Sequence, residues 1–154
     1  MGTENWILLH VGLSVRSTDK AARYYESLGG KASERPDIVL SSTDFENLRT
    51  YGKTDAPPWK LKIKMLNMGP LTLELLEPVE GDNFIKTWMD KHGEGANHIA
   101  YIVDELEKEV AELEAKGVPV MYHAEGRYAY MDTRETGGVV IELMQKGELP
   151  PSDS

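Results

Sequence analysis

The chain has 154 residues, 40% hydrophobic and 28% charged, which suits one domain or two small packed modules with a real core. Its 26 acidic and 17 basic side chains leave a net charge of −9, and with no basic stripe to offset it the surface repels nucleic-acid phosphate. The absence of cysteine excludes disulfides, zinc–cysteine sites and thiol catalysis; no apolar run approaches the roughly 20 residues of a membrane span, no signal-peptide pattern opens the chain, and a cytoplasmic location is expected.

Trp6 to Val15 alternates and is rich in β-formers, so it predicts a strand. Ser17-Thr18-Asp19 supplies an N-cap and an acidic first turn. Ala21, Ala22, Tyr24, Tyr25 and Leu28 follow at helical spacing, and Gly29-Gly30 ends the helix. A strand is expected around Asp37 to Ser41. Residues 42–58 are polar and punctuated by Gly52 and Pro57-Pro58, longer than a median loop of about 4–6 residues, which marks an insertion or a binding loop. Trp59 to Asn67 and Leu71 to Leu76 read as a hairpin around Gly69-Pro70. Asn83 to His92 is a short helix closed by Gly93, with His92 complementing its dipole.

Asn97 to Val103 is the next strand, and Asp104 is expected to cap a helix carrying Leu106, Val110 and Leu113. Gly117 ends that helix. Val118 to His123, Arg127 to Thr133 and Val139 to Met144 are then three strands, with Pro119 marking an edge or a strand start. His123 is a strand residue with no evident role.

The two halves repeat. His10-Val-Gly-Leu-Ser-Val and His98-Ile-Ala-Tyr-Ile-Val follow one pattern, 88 positions apart, and the helix-ending Gly29 and Gly117 are separated by the same 88. The chain therefore reads as a duplicated unit of strand, helix and three strands: residues 1–80, with the 42–58 insertion, and residues 81–154. The expected class is α+β, two tandem βαβββ modules in a mixed sheet.

One acid sits inside each module's last apolar strand: Glu74 in Leu-Thr-Leu-Glu-Leu-Leu and Glu142 in Val-Val-Ile-Glu-Leu-Met. A carboxylate there is costly unless paired, exposed or metal-bound. Strand alternation puts Val11, Leu13 and Val15 on the helix side and His10, Gly12 and Ser14 on the other. By the same rule His98, Ala100 and Ile102 oppose Ile99, Tyr101 and Val103, while Glu74 and Glu142 oppose their Leu and Ile neighbours. Each sheet then has a greasy side and a side bearing one His and one Glu, and Gly12 and Ala100 are expected to leave room for a ligand. His10, Glu74, His98 and Glu142 make an N₂O₂ set suited to one divalent ion, Zn, Co, Ni, Mn or Fe.

On the stretches His10-Val-Gly-Leu-Ser-Val, Leu73-Glu-Leu-Leu-Glu-Pro78, Gly93-Glu-Gly-Ala-Asn-His-Ile-Ala-Tyr101 and Gly137-Gly-Val-Val-Ile-Glu-Leu143, the chain resembles the vicinal oxygen chelate superfamily: the glyoxalase, bleomycin-resistance and extradiol-dioxygenase group. Within it the chain is most similar to methylmalonyl-CoA epimerases and glyoxalase I-like proteins. The resemblance implies paired βαβββ modules whose curved, barrel-like sheet closes a metal-lined cleft, with ligands at His10, Glu74, His98 and Glu142, a homodimer, and a coenzyme A thioester substrate. Two departures stand out: Asn97-His98 replaces a His-His pair, and the Ser41–Pro58 insertion displaces the stretch that carries a catalytic acid. Tyr128-Ala-Tyr-Met-Asp-Thr133 also differs from the epimerase pattern.

The expected activity is a metal-dependent isomerase or lyase, epimerase-like or glyoxalase-like, acting by proton transfer next to a carbonyl, with Glu142 and Glu74 as proton carriers. Substrate contacts are expected from Met65, Arg127, Tyr130 and Met144. The alternatives are an Fe(II) dioxygenase of the same fold, and a metal-free protein that binds a small aromatic molecule using Trp59, Tyr128 and Tyr130.

Overall fold

The computed structural model describes residues 2–148. In chain order the elements are β1 (Ile7–Ser14), α1 (Thr18–Ser27), β2 (Lys31–Ala32), β3 (Ile38–Ser41), β4 (Arg49–Thr50), β5 (Lys60–Met68), β6 (Leu71–Glu80), α2 (Phe84–His92), β7 (Gly95–Val103), α3 (Leu106–Ala115), β8 (Val120–Ala124), β9 (Tyr128–Met131) and β10 (Val140–Gln145). The α+β class expected from the pattern is what forms, with parallel and antiparallel pairings mixed. None of the described helices is long and apolar enough to cross a membrane.

Two compact units emerge. The first comprises His10–Phe45 and Pro57–His98; the second combines Glu46–Ala56 with the described parts of Met1–Leu9 and Ile99–Ser154. In the first, the strand order is β2-β5-β6-β1, with β3 also on β5. The strand expected around Asp37 to Ser41 forms at Ile38–Ser41 and pairs with residues 60–63, and a further short strand that the sequence did not mark, Lys31–Ala32, pairs with Leu66 and Asn67. β1 and β6 run parallel, Gly12 opposite Glu74, and β6 and β5 antiparallel, Glu74 opposite Met65. The helix side buries Val15, Ala22, Leu66, Leu73 and Leu75, with Val11 and Leu13 packed against them. A fully buried Leu of this kind contributes about 1.5–3 kcal/mol.

In the second unit the order is β7-β10-β9-β8-β4. Val103, Leu106, Val110, Ala129, Met131 and Leu143 form its core, joined by Tyr101 and Ile141. Period-two alternation thus chose the greasy face correctly in both units.

Helix ends follow local chemistry in two of three cases. Ser17 accepts from the Lys20 amide at 3.2 Å and Asn83 from the Lys86 amide at 3.0 Å. Gly29 and Gly93 take positive φ past the helix ends, at 102° and 83°. The expected Asp104 cap is corrected. Glu105 holds the cap position without a side-chain bond. The Leu106 amide instead donates to Gln145 Oε1 of β10 at 2.9 Å, and Gln145 Nε2 donates to the Asp104 carbonyl at 2.7 Å. A partner 39 residues along the chain has won over a local one.

The 42–58 stretch is more ordered than an insertion loop. Ser41 and Asp44 form a capping box around a 3₁₀ turn at Ser42–Asp44. Arg49 and Thr50 then pair with His123 and Tyr122, adding β4 to the edge of β8. The following turn places Tyr51 at φ 48°, a costly region for an aromatic residue. It is held there by the Tyr51 amide on the Met121 carbonyl at 2.7 Å and by the Tyr51 hydroxyl on Asp132 at 3.1 Å.

Candidate metal centre

β1, β6 and β7 each deliver one polar side chain to the first unit's non-helical face. Nε2 of His10 lies 3.3 Å and Nε2 of His98 3.5 Å from Oε1 of Glu74. The two imidazole rings stand edge to face, centroids 5.5 Å apart. His10 and His98 are buried, and the Glu74 side chain keeps only 14% exposure. Burial by itself would raise the Glu74 pKa. The imidazoles of His10 and His98 outweigh it and hold the carboxyl well below the usual carboxylate range.

This donor set fits a metal. Each residue offers a ligand atom, all within 4.8 Å of one another. Two atoms each roughly 2.1 Å from one tetrahedral ion stand roughly 3.4 Å apart, which is the separation seen here between oxygen and nitrogen. Imidazole with carboxylate selects Zn, Co, Ni, Mn or Fe over a hard alkaline-earth ion.

The space beside Gly12 has an occupant. A Cβ there would sit 1.8 Å from Cε1 of His98, so the missing side chain makes room for the His98 ring and not, as expected, for a ligand. Behind that ring runs a buried chain of hydrogen bonds that alternation did not foretell. Nδ1 of His98 lies 2.8 Å from Oδ1 of Asn97, Nδ2 of Asn97 donates to Ser14 Oγ at 2.6 Å, and Ser14 Oγ donates to the Ile85 carbonyl of α2 at 2.9 Å. Ser14 was legible as a neighbour of His10 on one strand face; Asn97 was legible only as a departure from a motif.

Glu142 stands on β10 of the second unit, 5% exposed. Tyr130 is directly opposite it on β9, and Tyr122 opposite Tyr130 on β8. Met144 shares the Glu142 face, opposite Tyr128. The rings of Tyr122 and Tyr128 pack on that of Tyr130, centroids 5.5 and 5.9 Å away. Tyr122, not singled out from the sequence, completes this aromatic row.

Arg127 stands in the turn before β9, where its guanidinium pairs with Glu148 at 3.4 Å. Trp59 is a buried core residue whose amide donates to Ser42 Oγ. His123 gains a role: its Nε2 pairs with Glu107 at 2.9 Å, and Glu107 also accepts from the Gly126 amide, so an α3 acid pins the β8–β9 turn. His92 does close α2, and its ring packs on Trp88.

Comparison with known proteins agrees with this architecture. The uncharacterised protein YqjC of Bacillus subtilis (strain 168) is 26% identical over 146 residues, covering 90% of this chain and 92% of its own. The human mitochondrial methylmalonyl-CoA epimerase is 27% identical over 146 residues, covering 90% of this chain and 73% of its own. The crystal structure of the Mycobacterium tuberculosis methylmalonyl-CoA epimerase has the same fold, with a TM-score of 0.67 at 22% identity, over 94% of this chain and 91% of that one. The glyoxalase/bleomycin resistance protein/dioxygenase superfamily matches residues 9–134, most of the described chain, and the chain belongs to that superfamily.

Proposed function

We propose that the chain is a divalent-metal-dependent isomerase that moves a proton at the carbon next to a carbonyl, of the methylmalonyl-CoA epimerase kind. One ion is held by His10, Glu74, His98 and Glu142. The observation that carries this reading is the buried Glu74 oxygen facing two imidazole Nε2 atoms at 3.3 and 3.5 Å. Glu142 enters by the duplication: it is the strand acid of the second repeat, 5% exposed, as Glu74, with its side chain 14% exposed, is of the first. The substrate class is supported by the relatives named methylmalonyl-CoA epimerase.

When bound, the ion supplies Lewis-acid polarisation of the substrate carbonyl. The chain's own groups do the rest. His10 and His98 keep Glu74 in its carboxylate form, the form that ligates a metal. Inverting a carbon needs a proton taken from one side and returned on the other. Two carboxylates, Glu74 and Glu142, meet that demand. Met65 beside Glu74, and Tyr130 and Met144 beside Glu142, line the substrate. Arg127, paired with Glu148, is the remaining proposed contact.

The test has two readouts on protein purified without chelator. Elemental analysis is expected to give near one ion per chain, lost in His98→Ala. Proton NMR in D₂O is expected to show deuterium entering methylmalonyl-CoA at the carbon between its carbonyls. A folded protein that refuses added Zn, Co, Ni, Mn and Fe overturns the metal; a loaded protein that leaves that carbon protonated overturns the substrate class.

A further inference from the structure

We infer that Asn97, oriented by Ser14 and the Ile85 carbonyl, is a positioning residue that keeps the ring proton of His98 on Nδ1 and so presents Nε2 as the ligating nitrogen. This rests on the metal reading above.

The direction of every bond in the chain follows from its far end. The Ile85 carbonyl can only accept, so Ser14 Oγ, 2.9 Å away, must spend its one proton there. Toward Asn97, at 2.6 Å, the Ser14 oxygen can then only accept, so Asn97 must present Nδ2 to it. That turns Oδ1 of Asn97 to His98, and an amide oxygen at 2.8 Å from a ring nitrogen requires the ring to donate. No hydroxyl rotation or amide flip satisfies all four groups otherwise. Ser14, Asn97 and His98 are each at most 1% exposed, so each unmade bond in this chain has no bulk water to replace it.

A neutral imidazole with its proton on Nδ1 carries its lone pair on Nε2, and Nε2 is the atom that faces Glu74 Oε1 at 3.5 Å. Between Nε2 and the carboxylate a cation is called for, a shared proton in the metal-free protein and a metal ion when one is bound. Gly12 closes the arrangement from the other side. The site a Cβ would take there is 1.8 Å from Cε1 and 2.3 Å from Nε2 of His98, so the ring is seated against bare backbone. The Ile85 carbonyl belongs to the first turn of α2, which ties that helix through Ser14 and Asn97 to the His98 ring.

Two-bond proton–nitrogen NMR correlations on apo protein read the tautomer of each of the four histidines without metal. Zinc affinity, by competition with a chelator, is read beside it. Wild type is expected to show His98 with its proton on Nδ1. Asn97→Ala is expected to lose that preference and weaken zinc about 10–100-fold. Ser14→Ala, which frees the amide to turn, is expected to lie between. Asn97→Asp keeps an acceptor opposite Nδ1 and is expected to recover the Nδ1 proton. The inference is overturned by wild-type His98 protonated on Nε2 with Nδ1 bare, or by folded Asn97→Ala with unchanged tautomer and zinc affinity. If Asn97→Ala does not fold, the wild-type tautomer and Ser14→Ala decide alone. Failure of the metal reading looks different, since wild type then takes up no zinc whatever the tautomer, and that outcome overturns both.

Discussion

Glu74 and Glu142 occupy matching places in their own sheets, yet their surroundings differ. In the first unit the row across the strands reads Gly12, Glu74, Met65, and two imidazoles converge on the acid. In the second the row reads Glu142, Tyr130, Tyr122, and the neighbours are aromatic. The two strand acids share a place in the pattern while the residues paired beside them differ, Met65 next to Glu74 and Tyr130 next to Glu142. Repetition therefore predicts where an acid will stand, and leaves open what stands beside it.

The comparison breaks hardest at Gly12. Gly12→Val would drive a side chain into the His98 ring, and the proposed metal uptake is expected to vanish. Overpacking should cost about 1–3 kcal/mol of stability as well. Elemental analysis and a thermal melt check both, and a variant that holds its metal at wild-type level would show that the ring can relocate.

The two acids sharpen the contrast. Glu74→Gln and Glu142→Gln are each expected to slow deuterium incorporation into methylmalonyl-CoA by about 100-fold or more. Glu74→Gln should also weaken zinc the more, because it removes the oxygen both imidazoles face. Equal affinities in the two variants would mean that the faces differ less than their rows suggest.

A smaller effect separates the neighbours. Tyr130→Phe is expected to raise KM about two- to tenfold with kcat little changed, the mark of a lost hydrogen bond to bound substrate. Met65→Leu, nearly isosteric, should leave both constants close to wild type. Steady-state kinetics on the two variants decide it.

The smallest effect lies at the added strand. A hydrogen bond from Arg134, with the Tyr51 hydroxyl assisting, holds the Asp132 carboxyl below its usual pKa against the opposing effect of burial. A depressed folded pKa stabilises above the unfolded value, near 3.8, and that contribution fades as pH falls through the folded value. Asp132→Asn should therefore melt earlier at pH 7 by under about 1 kcal/mol, after screening of the half-exposed guanidinium, and the gap should close on acidification. Faster amide exchange at Tyr51 and Lys53 in the variant would place the loss at the 49–53 turn.

Much of this was legible in one dimension. Alternation in β1, β6 and β10 assigned the greasy face, as Leu73, Leu75 and Leu143 buried on the helix side attest. The His10–His98 and Gly29–Gly117 spacings suggested a repeat, and two acids in apolar strands marked the candidate site. What was hidden had partners far away in sequence. Gln145 caps α3 across 39 residues and Asn97 finds Ser14 across 83, and no local pattern announces either. The 42–58 stretch read as a loop because a two-residue strand has no period to detect; its order comes from the β8 edge and from Asp132.

The sequence by itself determined the α+β class, the order of the main elements and the buried faces, because hydrophobic period is a local property of the chain, and it singled out the four residues proposed as ligands. Only the tertiary structure decided that Gly12 seats an imidazole, that His98 carries its proton toward Asn97, and that a polar insertion becomes an edge strand. Those outcomes depend on angstrom-scale packing and on directed hydrogen bonds between residues far apart in the chain.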